Sequence, residues 1–316
     1  MIYFFIFVFL FVVEQAYFKL ADYFNIIDRP NERSSHSRIT LRGGGIIFYI
    51  GVLLYFLLND FQYPWFFIGL TLIAGISFAD DIRPQPSKLR LLVHFIAMVL
   101  MFYQWNLFSL SWYFTIFALI FCTGILNAYN FMDGINGITG GYSLVLSVTL
   151  LYINQFQQSF VDPKFIYIVL LALLVFIFFN FRTKATCFAG DVGSVSIAFI
   201  LVFLLGLLII KTGDFSYLVL LSVYGVDTIL TIIHRLILKE NIALPHRKHA
   251  YQIMANELRI PHVVVSLIYI LLQGLICIGL FVFKSCSYYY LFSIIIILSV
   301  AYILFKKKNY HLHQQL

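Results

Sequence analysis

The chain has 316 residues, 62% of them hydrophobic and only 11% charged, with a mean hydropathy of +0.93 and a formal net charge of +7. A water-soluble globular chain is about a quarter charged, so that class is excluded. The basic excess also fails as a nucleic-acid signature, because its placement follows membrane topology.

Crossing the hydrocarbon layer takes about 20 mostly apolar residues, fewer where the ends snorkel. Eleven spans are expected, near 2–20, 44–58, 64–79, 88–105, 107–126, 138–153, 164–181, 193–210, 215–237, 262–283 and 287–305. The fold class is therefore all-α, a polytopic integral membrane bundle of about 10–11 transmembrane helices. Connections this short leave no room for a second folded domain, so residues 1–316 are expected to form one membrane domain. The first span lacks a basic start and a small-residue cleavage site, and reads as a retained helix. With the N-terminus outside, every Lys and Arg except Lys164, Lys211 and Lys284 falls on an inner connection. That bias is the positive-inside rule, and it places the inner connections in the cytoplasm. Cys122, Cys187, Cys277 and Cys286 form no CxxC pair and read as packing residues.

The polar islands all fall on inner connections. The first, 20–43, holds Asp28, Arg29, Pro30, Arg33 and His36 and ends in Arg42-Gly43-Gly44-Gly45. Asp80 and Asp81 close the third span; adjacent carboxylates at a membrane boundary repel unless a cation lies between them. Arg83, Lys88 and Arg90 follow and could neutralise the pair, which leaves a solvated helix end as the plain alternative. Asn127, Asn130, Asp133 and Asn136 recur every third residue among glycines. Such a stripe suits hydrogen-bonding to a base or sugar, or else helix packing. Phe188-Ala189-Gly190-Asp191-Val192-Gly193-Ser194 opens the eighth span with a carboxylate between glycines, where amides can meet phosphate; an N-cap at Asp191 is the simpler reading. His246-Arg247-Lys248-His249 lies in the largest inner connection and suits a diphosphate, or a merely basic loop. Asp227 falls within a span and needs a partner; His234 and Arg235 on the same helix are the candidates.

Together these islands resemble the polyprenyl-phosphate N-acetylhexosamine-1-phosphate transferases, the glycosyltransferase family 4 type related to phospho-MurNAc-pentapeptide translocase. The resemblance runs from Asp28 to Tyr251 and rests on order: Arg42-Gly43-Gly44-Gly45, Asp80-Asp81, Asn127 to Gly134, Gly190 to Ser194, and a late histidine loop. Two departures point to the branch that initiates surface polysaccharides (O-antigen, capsule or teichoic acid type). The peptidoglycan branch usually shows Asp where this chain has Asn136, and consecutive histidines where it has His246-Arg247-Lys248-His249.

The resemblance implies transfer of N-acetylhexosamine 1-phosphate from a UDP-sugar to undecaprenyl phosphate, with release of UMP, at the cytoplasmic face of the bacterial inner membrane. It implies Mg2+ as cofactor, with Mn2+ as a substitute. Asp191 is then the foremost metal ligand, and Asp80 and Asp81 share the metal and orient or deprotonate the attacking phosphate. Asn127, Asn130, Asp133 and Asn136 hold nucleotide or sugar, and Phe188 stacks on uracil. Arg33, His36, Lys88, His246 and His249 contact phosphates, His246 within the catalytic set. Expected partners are the UDP-N-acetylhexosamine, undecaprenyl phosphate and membrane lipids, with a homodimer left open and nucleic acid excluded. A flippase for lipid-linked sugars is the main alternative and would require a polar path through the bilayer. An intramembrane prenyltransferase fits less well, because no further acid follows Asp80-Asp81 in the manner of its D-D-x-x-D motif.

Overall fold

A computed structural model describes residues 1–30, 35, 38–242 and 246–309. Its frame is eleven long helices: α1 Ile2–Tyr23, α2 Ile46–Leu58, α3 Pro64–Ile82, α4 Ser87–Gln104, α5 Trp112–Met132, α6 Ile138–Phe156, α7 Pro163–Asn180, α8 Gly190–Thr212, α9 Ser222–Ile237, α10 His262–Val282 and α11 Ser287–Asn309. Among the described residues, nine helical segments are long and apolar enough to cross a membrane, and this is a multi-pass membrane protein. The expected spans recur in order. The fifth is displaced along the chain: Asn106 takes a left-handed conformation at φ 57° after α4, a 3-10 turn covers Leu107–Ser109, and α5 then runs on to Met132. The Asn127–Asn130 stripe therefore lies inside a helix, not in the connection after it.

α8 is the axis of the bundle. Nearly every residue from Val192 to Leu205 is buried, and α2, α3, α5 and α6 pack around it. Phe66 of α3 stacks on Phe203 of α8 with ring centres 3.9 Å apart, and Tyr142 of α6 stacks on Tyr224 of α9 at 3.7 Å. Such contacts supply cohesion where lipid offers helices no hydrophobic drive to associate. α5 and α11 expose Phe117, Ile120, Ile296 and Leu304 on their outer faces, as lipid-facing helices do.

Odd-numbered helices up to α7 end, and even-numbered ones begin, at the same end of the bundle. There a two-stranded antiparallel ribbon, β1 Ile27–Asp28 and β2 Thr40–Leu41, lies against the segment before α8. Phe188 N donates to Leu41 O at 2.8 Å, Gly44 N to Phe188 O at 2.9 Å and Gly45 N to Ala189 O at 3.0 Å. The starts of α2 and α8 are thereby laced together. Their approach requires glycine: a Cβ on Gly45 would run into the Cα of Gly193, and one on Gly193 would stand 2.6 Å from the Cα of Gly45.

Candidate active site

The site is built on the start of α8. Gly190 takes φ 71°, and a Cβ there would stand 2.5 Å from Asp81 Oδ2, so only glycine serves. The first amides of a helix lack partners within it. Asp81, from the end of α3, supplies them: Asp191 N donates to its Oδ1 at 2.9 Å and Val192 N to its Oδ2 at 3.0 Å. The cap of α8 is thus Asp81 from a distant helix, while Asp191 is one turn-position inside it.

Two arginines tie the carboxylates together. Arg42 Nε lies 2.7 Å from Asp81 Oδ1, and its Nη2 lies 3.3 Å from Asp191 Oδ1. Arg90 of α4 places Nη1 2.9 Å from Asp80 Oδ2 and Nη2 3.0 Å from Asp191 Oδ2. Asp80 also accepts from Gln85 N at 2.7 Å. Asp80, Asp81 and Asp191 are therefore one cluster, with Asp191 bridged to each of the other two. Lys88, one of the phosphate-contact candidates, is exposed on α4; Arg90, two residues on, is the cation that reaches the cluster. Sequence spacing could not distinguish them without the register of α4.

Beside the cluster opens a cavity of about 370 Å³, lined by Asp191, Arg42, Asn130, Asp133, Asn136 and Phe188 among others. A second of about 570 Å³ adjoins it and shares Ser35, Asn136, Phe188 and His262 with it. Volumes of this size suit nucleotide-scale ligands. Asn130 faces α8, where Ser194 Oγ donates to its Oδ1 at 2.9 Å. Asn136 is buried and donates through Nδ2 to Arg182 O at 2.7 Å. Asp133 follows α5 in the cavity wall, where burial pushes its carboxyl up to about 7, opposed by the Thr139 hydroxyl and reinforced by Asp81. Asn127 lines neither cavity.

Asn180, at the end of α7, escaped the sequence reading. Its Oδ1 accepts from Gly137 N at 2.7 Å and its Nδ2 donates to Cys187 O at 2.8 Å, so it joins two walls of the cavity. The signal was an amide closing a wholly apolar run. Asp28 and Gln252 also line the cavity.

The late loop stands behind this wall. His246 and His249 lie with ring centres 5.0 Å apart, and each is 6.2 Å from the Phe131 ring. Burial, then the neighbouring His249 and Arg235, depress His246 to about 3, so it is neutral at pH 7. His249 is buried against Asp227, which answers the search for that aspartate's partner: His249 takes the role, while Arg235 pairs with Glu240 at 3.1 Å. Arg33 and His36, assigned to phosphates, lie outside the described residues.

Among the described residues no three His, Cys, Asp or Glu side chains converge as a closed metal site. Mg2+ does not require one, since it takes one or two carboxylates and fills its shell with water and phosphate. Asp191 and Asp80, hard-oxygen donors whose Oδ2 atoms share one guanidinium, fit that pattern. Asp81 fits it less well, because both its oxygens already accept from α8.

Residues 63–210 match the model of a protein family described as glycosyl transferase family 4. The chain is 25% identical over 304 residues to a probable undecaprenyl-phosphate N-acetylglucosaminyl 1-phosphate transferase of Bacillus subtilis (strain 168), covering 89% of this chain and 84% of the relative. It is 26% identical over 209 residues to an undecaprenyl-phosphate alpha-N-acetylglucosaminyl 1-phosphate transferase of Salmonella typhi, covering 59% and 56%. Against a phospho-N-acetylmuramoyl-pentapeptide-transferase of Latilactobacillus sakei subsp. sakei (strain 23K) it is 32% identical over 121 residues, covering 38% and 36%.

Proposed function

We propose that this chain, whose residues 63–210 match the model of glycosyl transferase family 4, belongs to that family and transfers N-acetylhexosamine 1-phosphate from a UDP-sugar to undecaprenyl phosphate. The observation that carries this reading is the cluster of Asp80, Asp81 and Asp191, held by Arg42 and Arg90, of which Asp191 and Arg42 line a nucleotide-sized cavity. A phosphate oxygen of the lipid attacks the sugar-bearing phosphorus of the donor. A new P–O bond forms, the bond to the bridging oxygen breaks, and that oxygen departs with its electron pair on UMP. The second pKa of a phosphate monoester is about 6, so the nucleophile needs positioning more than deprotonation.

Asp191 and Asp80 would hold Mg2+, which screens the clustered phosphates when bound. The remaining work falls to the chain. Asp81 fixes the start of α8, from which Asp191 lines the cavity. Arg42 and Arg90 meet donor oxygens with paired N–H groups, a geometry suited to phosphate. Phe188 offers a ring to the base, while Asn130, Asp133 and Asn136 define the wall for nucleotide or sugar. The positive-inside bias orients this end to the cytoplasm of a bacterial inner membrane.

The surface-polysaccharide branch is favoured over peptidoglycan by Asn136 and by the His246-Arg247-Lys248-His249 loop. The far longer span of the Bacillus match, compared with that of the pentapeptide transferase, favours it too. The test is purified protein in detergent given undecaprenyl phosphate and a panel of UDP-N-acetylhexosamines. UMP and a lipid diphospho-sugar should form with at least one donor. Absence of UMP with every donor, alongside movement of lipid-linked sugar across vesicles, would establish a flippase instead.

A further inference from the structure

Two amide side chains reach across the cleft to each other's segment. Asn136, in the connection after α5, and Asn180, the last residue of α7, are both buried. Asn136 Nδ2 donates to Arg182 O at 2.7 Å and to Thr183 O at 3.4 Å. In the other direction, Asn180 Oδ1 accepts from Gly137 N at 2.7 Å, and its Nδ2 donates to Cys187 O at 2.8 Å. The approach is close enough to demand glycine: Gly137 has φ 87°, and a Cβ there would run into the Phe181 ring. Ser266 of α10 steadies the arrangement by donating to Asn136 O at 2.8 Å. The two amides form a reciprocal clamp between the connections after α5 and α7.

What the clamp holds is the wall of both cavities. Asn136 and Asn180 line the first; Asn136, Thr183, Lys184 and Ala185 line the second; Phe188 lines both. The anchored carbonyls belong to Arg182, Thr183 and Cys187, so the clamp brackets Lys184 and Ala185 and ends one residue before Phe188. Both polar atoms of Asn180 and Nδ2 of Asn136 are engaged by backbone, so the atom of the pair left for direct contact with a ligand is Asn136 Oδ1. A buried carbonyl that loses its donor is costly, and a segment that loses its anchor shifts to find another. The carboxylate cluster is held separately, by Arg42, Arg90 and the first amides of α8, and none of those bonds runs through the clamp.

Resting on the transferase reading, we propose that Asn136 and Asn180 act as one positioning pair for the UDP-sugar. The clamp sets the separation of the two connections and so seats Phe188 and the Thr183–Ala185 segment against the donor. Asn136→Asp and Asn180→Asp test this, because each keeps Oδ1 and removes the N–H that reaches the far carbonyl. Each should raise donor KM by about tenfold, with kcat and the KM for undecaprenyl phosphate little changed. The double variant should cost little more than the worse single change, since one broken side already releases the wall. Separate contacts with the donor, or repulsion by two new carboxylates, would add instead. Asn136→Ser and Asn180→Ser are uncharged and too short to span to the carbonyls, and should reproduce the rise in KM; melting curves in detergent show which variants stay folded. Fully additive losses, a fall in kcat with donor KM unchanged, or a parental KM in the folded Ser variants would overturn the proposal. Calorimetric binding of the UDP-N-acetylhexosamine panel keeps the two readings apart. A parent that binds a donor but releases no UMP ends the transferase reading, while weaker binding in the clamp variants still upholds the clamp and unchanged binding overturns it. A parent that binds no donor ends both.

Discussion

The chain solves the problem of keeping carboxylates in a membrane bundle twice, by different means. Asp80, Asp81 and Asp191 form a cluster beside the cavity and are paired with the guanidiniums of Arg42 and Arg90, each arginine side chain about a third exposed. Asp227, also buried, relies on two hydroxyls, an amide and an imidazole. Full cations suit a place where anionic ligands arrive and partners must exchange. Short donors on several helices suit a place where geometry must stay fixed. On the proposed function, the first centre would serve the chemistry, while the second ties helices together.

The sharpest way to break this comparison is Asp191→Asn. Loss of its charge should reduce transfer by about 10³-fold or more, with the protein still inserted and monodisperse on size exclusion; substantial Mg2+-dependent turnover would refute its role. Next comes Arg42→Gln, which strands Asp81, whose side chain is fully buried. Breaking such a pair should cost about 3 kcal/mol, measured as a lower denaturation midpoint in detergent. Arg90→Gln should raise donor KM by about tenfold, whereas Lys88→Ala on the same helix should leave KM unchanged. That pair tests whether the cluster, and not basicity in general, recruits phosphate.

Asp133 offers a pH test. Its carboxyl is raised from 3.8 to about 7 by burial, so the stability it contributes is complete below its unfolded value and is lost as pH rises through 7. Asp133→Asn should therefore flatten the decline in melting temperature between pH 5 and 8, and an unchanged slope would remove the effect. The smallest change is Tyr251→Phe. Loss of the bond to Phe131 O should cost about 1 kcal/mol, seen as a modest drop in melting temperature.

Much of this was legible in the chain. Spans are readable because lipid demands long apolar runs, and the inner connections because Lys and Arg mark them. The convergence of Asp80, Asp81 and Asp191 follows from alternating topology: helix ends of one parity must meet. What stayed hidden depended on rotation and on distant partners. Lys88 and Arg90 differ by about 200° around α4, and nothing local says which faces the cluster. Asp227 was sought a partner on its own helix, at His234 or Arg235, yet finds His249 across a connection. The role of Asp81 as the cap of α8 was equally invisible, since the sequence offers Asp191 as the local choice. The expected end of α5 falls too early: Asn127 and Asn130 lie inside the helix, with Asn130 turned to Ser194 of α8.

Gly45 and Gly193 touch backbone to backbone where α2 and α8 begin. Neither position can accept a methyl group without prying the two apart, and a compensating change at one cannot make room for growth at the other. The glycine joint is therefore the pivot on which the starts of these two helices are assembled, and any variant has to keep both positions bare.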